Sequence, residues 1–166
     1  SNGKKNLLNV NDCPYEMSKI ILKKIVKEYK KIDLLLAGYA GAGPYPQCFS
    51  NLSKDLKKKK AEQKKKQFLT QASNFAKNVN PEFFMPFAGT YYLGGKLTHL
   101  NKFRGVATRL EAKKFLEKKH KNTKFFILKT NGKIDLNSKF IYAEETVVNE
   151  NLNSKLINNL KKKRSD

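Results

Sequence analysis

The chain reads as an alternating α/β domain, and three features predict it. Apolar runs recur and end in small residues. Ile32-Asp-Leu-Leu-Leu-Ala37 leads into Gly38-Tyr-Ala-Gly-Ala-Gly-Pro-Tyr-Pro46, and Glu82-Phe-Phe-Met-Pro-Phe87 leads into Ala88-Gly89. Between the runs lie segments whose apolar residues recur at helical spacing. The length, 166 residues with 39% hydrophobic, suffices for one domain with a core.

Residues 6–10 predict a short strand, closed by the turn or helix entry Asn11-Asp-Cys-Pro14. Residues 16–31 carry Met17, Ile20, Ile21, Ile25 and Tyr29 on one face and lysines opposite, which predicts an amphipathic helix buried through those five. Residues 32–37 are almost wholly apolar, as in a strand covered on both faces. Ser50-Asn-Leu-Ser53 offers N-caps for a long helix. Its first half, 55–66, has only Leu56 and Ala61 as apolar residues and predicts a solvated face. Its second half regains a core stripe at Phe68, Leu69, Ala72, Phe75 and Ala76. Residues 82–87 form the next strand, Gly94-Gly95 breaks the chain, and 106–119 predict a helix carrying Leu110, Phe115 and Leu116. Residues 124–128 and 139–143 read as strands of a hairpin around Thr130-Asn-Gly-Lys133. The order is β-α-β-α-β-α-β-β-α, divided into a domain over 4–148 and a basic C-terminal helix and tail over 149–166.

Lys and Arg number 35 against 14 Asp and Glu, a net charge of +21. Such a charge invites a nucleic-acid partner, since lysines that neutralise phosphates release counterions. Only Arg104, Arg109 and Arg164 are arginine, however, the residue that reads phosphate and base edges bidentately. The lysines travel with many asparagines, a pattern of AT-rich coding, so a basic nucleic-acid scaffold ranks below the readings that follow. Cys13 and Cys48 form no Cys-x-x-Cys and fit two free thiols in a reducing cytoplasm. No apolar run approaches the roughly 20 residues that span a bilayer, so no membrane is expected. The opening Ser1-Asn-Gly3 reads as a cloning remnant.

Most catalytic motifs are missing. Gly38, Gly41 and Gly43 lead into Pro44 and Pro46 without opening a Gly-x-Gly-x-x-Gly helix, and no phosphate-loop lysine or Gly-x-Ser-x-Gly elbow follows a strand. His99 and His120 are the only histidines, too few for a His-rich metal site, and His120 reads as a solvated residue at a helix end. What stands out is position. Asp12 at the first strand's tip and the glycine loops at the next two converge on one surface if the strands lie in chain order, where α/β sheets bind ligands. An Asp there serves equally as a turn former or as a metal or substrate ligand.

These residues resemble the second half of the metallo-β-lactamase superfamily fold. Leu7-Leu-Asn-Val-Asn-Asp-Cys13 resembles the strand ending in a metal-binding Asp, and Asn80-Pro-Glu-Phe-Phe-Met-Pro86 the strand whose Pro-x-His ending gives the last ligand. Tyr39-Ala-Gly-Ala-Gly-Pro-Tyr-Pro46, Pro86-Phe-Ala-Gly-Thr-Tyr91 and Ile127-Leu-Lys-Thr-Asn-Gly-Lys-Ile-Asp-Leu136 are similar to the lactamase-like part of CMP-N-acetylneuraminate hydroxylases and their bacterial relatives. The likeness runs in order over about residues 6–136. Two departures stand beside it: the superfamily's His-x-His-x-Asp-His has no counterpart, and Ala88 stands where the Pro-x-His histidine belongs.

The resemblance implies the C-terminal half of an αββα sandwich, against a Rossmann-like three-layer α/β domain as alternative. It implies a metal-dependent hydrolase or oxygenase-like protein acting on a sugar or sugar nucleotide, with no catalysis by this piece alone. Asp12 would be a metal ligand, with His99 as a candidate substitute for the missing histidine. Tyr39, Gly41, Gly43, Gly89, Tyr91, Lys96 and Arg104 would meet an anionic substrate. Zinc, iron or manganese would be held by the full-length protein, where it lowers the pKa of bound water, and none by this piece. The missing N-terminal half or a second copy would be the partner. The alternative is a non-catalytic domain that binds an anionic sugar through its glycine loops, the lysines steering the ligand.

Overall fold

A computed structural model describes residues 1, 3–145 and 158–159. The predicted tail over 149–166 lies outside the described residues, apart from Asn158 and Asn159, which are helical. Four strands form a parallel sheet: β1 (Leu7–Asn9), β2 (Leu34–Gly38), β3 (Phe83–Phe87) and β4 (Lys124–Phe125). They lie in chain order, with Leu8 opposite Leu35, Leu35 opposite Phe84, and Phe84 opposite Phe125. Three helices connect them: α1 (Tyr15–Tyr29), α2 (Lys54–Val79) and α3 (Arg109–Lys119). A 3-10 segment, Gly95–Phe103, precedes α3.

Chain order and one hand of crossover put every connecting helix on the same side of the sheet. Leu35, Ala37, Phe84 and Phe125 accordingly pack with Leu22 of α1, Phe75 of α2 and Leu116 of α3. Alternate residues point the other way, as the strand period requires. Leu34 and Phe83 join Phe126 in a second cluster, flanked by Ile134, Leu136 and Ile141 of an antiparallel hairpin, β5 (Leu128–Asp135) and β6 (Phe140–Glu144). The architecture is therefore helices, parallel sheet, hairpin. The second face carries a hairpin where a doubly wound sheet carries helices.

The helix ends follow their sequence signals. Ser53 Oγ accepts the Leu56 amide at the start of α2, and Asn80 closes that helix in the left-handed conformation. Thr108 and Glu111 form a reciprocal capping box at the start of α3. Gly105 precedes it with φ +65°, and a Cβ there would meet the Ala61 carbonyl at 2.7 Å, so the loop passes close over α2.

Several expectations are corrected. The core stripe of α1 is Tyr15 and Leu22 with Ile25 and Val26, whereas Met17, Ile20 and Ile21 are 81%, 71% and 57% exposed. The hairpin turns at residues 136–139, because the Asp135 carboxylate accepts the amides of Asn137 and Ser138 and builds the turn there. Asn131-Gly132 sits instead within β5, in the register shift between Leu128 and Lys133. Residues 124 and 125 belong to the parallel sheet, not to the hairpin. His120 is half-buried, its Nε2 lying 2.8 Å from Ser73 Oγ. Cys13 and Cys48 are free and exposed. No helix among the described residues is long and apolar enough to cross a membrane.

Candidate functional site

The chain-order sheet brings the strand tips into one row. A Cβ on Gly38, at the end of β2, would lie 3.3 Å from Asn11 Oδ1 beyond β1 and 3.9 Å from the Ala88 carbonyl beyond β3. The loops leaving these tips do not form one pocket. Among the described residues they line at least three separate clefts.

The first, about 520 Å³, lies beyond β3 and β4 and is lined among others by Tyr39, Ala88, Gly89, Thr90, Tyr92 and Arg109. Tyr39 is its inner wall, and only 3% of its surface is exposed. Thr90 donates its hydroxyl proton to the Ala107 carbonyl at 3.1 Å, so the Tyr39 hydroxyl, 3.0 Å away, donates to Thr90 Oγ1. Burial pushes the Tyr39 phenol above its usual pKa, against the Thr90 bond and the nearby Arg109 charge. A neutral phenol whose proton is already committed is a wall, not an acid. Arg109, in the first turn of α3, supplies the positive charge. Its Nη1 lies 3.1 Å from Glu145 Oε2, yet that oxygen is buried without a hydrogen-bond donor among the described residues. The pair is held by charge, and the guanidinium, exposed on its other side, keeps N–H donors for a ligand anion.

The second cleft, about 280 Å³, joins the tip of β1 to the loop after β2 and is lined by Asp12, Cys13, Gly38, Gly41, Phe68 and others. Asp12 is exposed, at φ 58°, with Oδ2 accepting from Asn11 Nδ2 at 3.2 Å. Gly41 makes room for Phe68 here: a Cβ would stand 2.3 Å from Phe68 Cζ, so any side chain would displace the ring. The third cleft lies between residues 42–45 and the first half of α2.

The remaining expected residues brace the loops. Tyr91 donates to the Gly43 carbonyl at 3.2 Å and accepts from Gln47 Nε2 at 2.7 Å; Gln47 Nε2 also donates to the Gly43 carbonyl. The loop after β3 is thereby latched to the loop after β2. Burial raises the Tyr91 pKa, opposed by the Gln47 bond and the Arg104 charge. Arg104 donates through Nη1 to the Tyr91 carbonyl and through Nε to the Asn101 carbonyl at 3.1 Å, and stacks on Tyr92 at 3.9 Å from the ring centre. Lys96 and His99 are exposed on the 3-10 segment and line none of the three clefts; His99 Nδ1 donates to the Lys96 carbonyl at 2.8 Å. Thus Asp12 and Gly41 share one cleft and Tyr39 and Gly89 another, while Tyr91 and Arg104 act behind the surface.

The donors do not fit a metal centre by themselves. Among the described residues no three His, Cys, Asp or Glu side chains are placed to share an ion. Ala88 offers no donor at the third tip, and its φ of 42° is one that an L-residue adopts reluctantly.

Arg109, Gln47, Lys60 and Lys64 were not singled out by the sequence. Arg109 was within reach, since Thr108-Arg-Leu-Glu111 writes the capping box that sets it in a first helical turn. Gln47 and the two lysines carry no signal apart from the fold. Comparison with family models, with characterised proteins and with solved structures finds no match for the chain.

Proposed function

We propose that this chain is the ligand-binding half of a metallo-β-lactamase-like protein and holds an anionic sugar or sugar nucleotide at its strand tips, without catalysis of its own. The observation that supports this reading most is the 520 Å³ cleft over Ala88 and Gly89, lined by Arg109 together with the buried, hydrogen-bonded Tyr39 and Thr90. Its volume lies in the range of about 300–1,000 Å³ usual for small-molecule sites. Arg109 takes the acidic group, and the wall orients the sugar. In a complete αββα sandwich, a zinc, iron or manganese ion would need donors from the partner half or a second copy in addition to Asp12. No step is assigned to this chain through that ion.

The test is thermal unfolding with a panel of free anionic sugars and sugar nucleotides, CMP-N-acetylneuraminate among them. Ligand binding to the folded chain raises Tm by mass action, by about 2.7 kcal/mol of stability at a hundredfold excess over Kd. The expected result is a shift with at least one ligand that disappears in Arg109→Gln, with no turnover by the chain alone. A flat panel, or a shift that Arg109→Gln leaves intact, removes this reading.

A further inference from the structure

The cleft of about 420 Å³ between the loop after β2 and α2 is separate from the Arg109 cleft. Gly43, Pro44 and Tyr45 wall one side, and Lys60, Lys64 and Phe68 the other. The lysine run of 55–66, expected to be largely solvated, is so except where it meets this cleft and α3. Lys60 and Lys64, one helical turn apart, are half-buried at this cleft. No carboxylate lines the cleft. Among the described residues Lys60 and Lys64 have no ion-pair partner, whereas Lys58 pairs with Asp55, and Lys65 with Glu62 and Glu111. Lys64 Nζ donates to the Tyr45 carbonyl at 2.9 Å, and burial lowers its pKa. A partly desolvated ammonium held by a neutral carbonyl leaves its charge uncompensated.

The loop supplies matching donors. The amides of Ala42, Gly43 and Tyr45 bond to no group among the described residues. No atom stands within 4 Å of where a Cβ on Gly43 would lie, so a ligand can reach the backbone there. Unbonded amides on a loop that lines the same cleft as two cations suit a tetrahedral, multiply charged anion better than a planar carboxylate.

We propose that this cleft binds the phosphate of a small phosphate ester or diphosphate, with Lys60 and Lys64 as its cationic ligands and the 42–45 backbone as its cradle. The site stands independently of the sugar reading. A diphosphate brings the charge that the two ammoniums lack, and the volume accommodates it within the usual ligand range.

Calorimetric titration of the full chain with inorganic pyrophosphate at low ionic strength tests this. Saturable one-site binding is expected, weakened about tenfold or more in Lys60→Gln/Lys64→Gln, as the loss of charge-assisted bonds implies. It should persist in Lys58→Gln/Lys59→Gln, which removes the same charge from the same helix, and in Arg109→Gln, which reports on the other cleft. Should the double variant misfold, Gly43→Val, which meets open space, must abolish binding at unchanged Tm. Equal losses in the two lysine pairs would reveal a diffuse field and overturn the site, as would the lack of saturation in the wild type. A single-stranded oligonucleotide that binds more tightly than pyrophosphate, with the same dependence on Lys60 and Lys64, would overturn the assignment to a small ester.

Discussion

The Tyr39 ring fills the space that a side chain on Gly89 would need: a Cβ there would lie 2.1 Å from Tyr39 Cζ. The φ of Gly89 is not in the left-handed region, so its lack of a side chain serves the ring and not the backbone. Tyr39 is buried and hydrogen-bonded to Thr90, and it cannot swing aside cheaply. Gly89→Ala should therefore cost about 1–3 kcal/mol, the usual penalty of overpacking. In a Tyr39→Ala background the same change should cost close to nothing. The double-mutant cycle, read by urea unfolding, checks the coupling, and additive costs would contradict it.

Arg104 ties the tyrosine loop together from behind, through the Tyr91 carbonyl, the Asn101 carbonyl and the Tyr92 face. Its planar fork does three tasks that an ammonium cannot combine. Arg104→Lys should lose about 1–3 kcal/mol of stability, nearly as much as Arg104→Ala. Amide exchange of residues 91–93 should speed up in both variants. Full rescue by lysine would show that charge alone matters at this position.

How far the sequence carries the fold depends on which signal each element writes. Ile32 to Ala37 announces a doubly covered strand because both faces are apolar, and both are indeed covered, by Phe75 on one side and the hairpin cluster on the other. The chain order of the strands was a condition, and it is met. Helix α1 misleads because two apolar stripes compete on it. Only packing against α2 decides for Leu22 over Met17, Ile20 and Ile21, and periodicity carries no information on that choice. The Asn131-Gly132 signal lost to the Asp135 turn, whose side chain bonds fix a different register. At the site, the glycines were legible as places of close approach, and Phe68 and Tyr39 are what approaches Gly41 and Gly89. The role of Arg104 as a brace was not legible, since it depends on carbonyls brought near only by the 3-10 segment.

His120 and Asp33 make stability depend on pH in different windows. His120 sits beside Ser73 and Phe125, and burial, then the charges of Lys119 and Lys77, lower its pKa. A depressed pKa means the folded state prefers the neutral ring. Its contribution is present above the unfolded value of about 6.5 and is lost as pH falls through the folded value. Stability measured between about pH 7.5 and 5 should decline, and His120→Gln should flatten that decline. An unchanged slope would place the proton uptake elsewhere.

Asp33 acts lower on the scale. It is buried just before β2, which alone would raise its pKa, but the Asn6 amide at 2.9 Å and the ammoniums of Lys31 and Lys5 at 3.1 and 3.4 Å outweigh burial and lower it. Its stabilisation is present above the unfolded value of about 3.9 and vanishes as pH drops through the folded value. Asp33→Asn should lose about 1–3 kcal/mol at neutral pH and little in strong acid, so the two proteins' acid unfolding curves should converge. Salt should weaken the lysine share and spare the Asn6 bond, leaving most of the difference at high ionic strength.

The exposed face of α1 separates the periodicity reading from the packed one by a direct measurement. If Met17, Ile20 and Ile21 formed the core stripe, replacing each by glutamine would cost at least the 2–5 kcal/mol of a large core truncation. Their exposures of 81%, 71% and 57% predict instead a change within about 0.5 kcal/mol at each position. Leu22→Ala, on the face that packs against α2, should cost about 2–5 kcal/mol in the same assay. Reversal of this order would mean that α1 is rotated about its axis, which would also carry Tyr15 away from Phe75, whose rings meet edge-on at 5.1 Å.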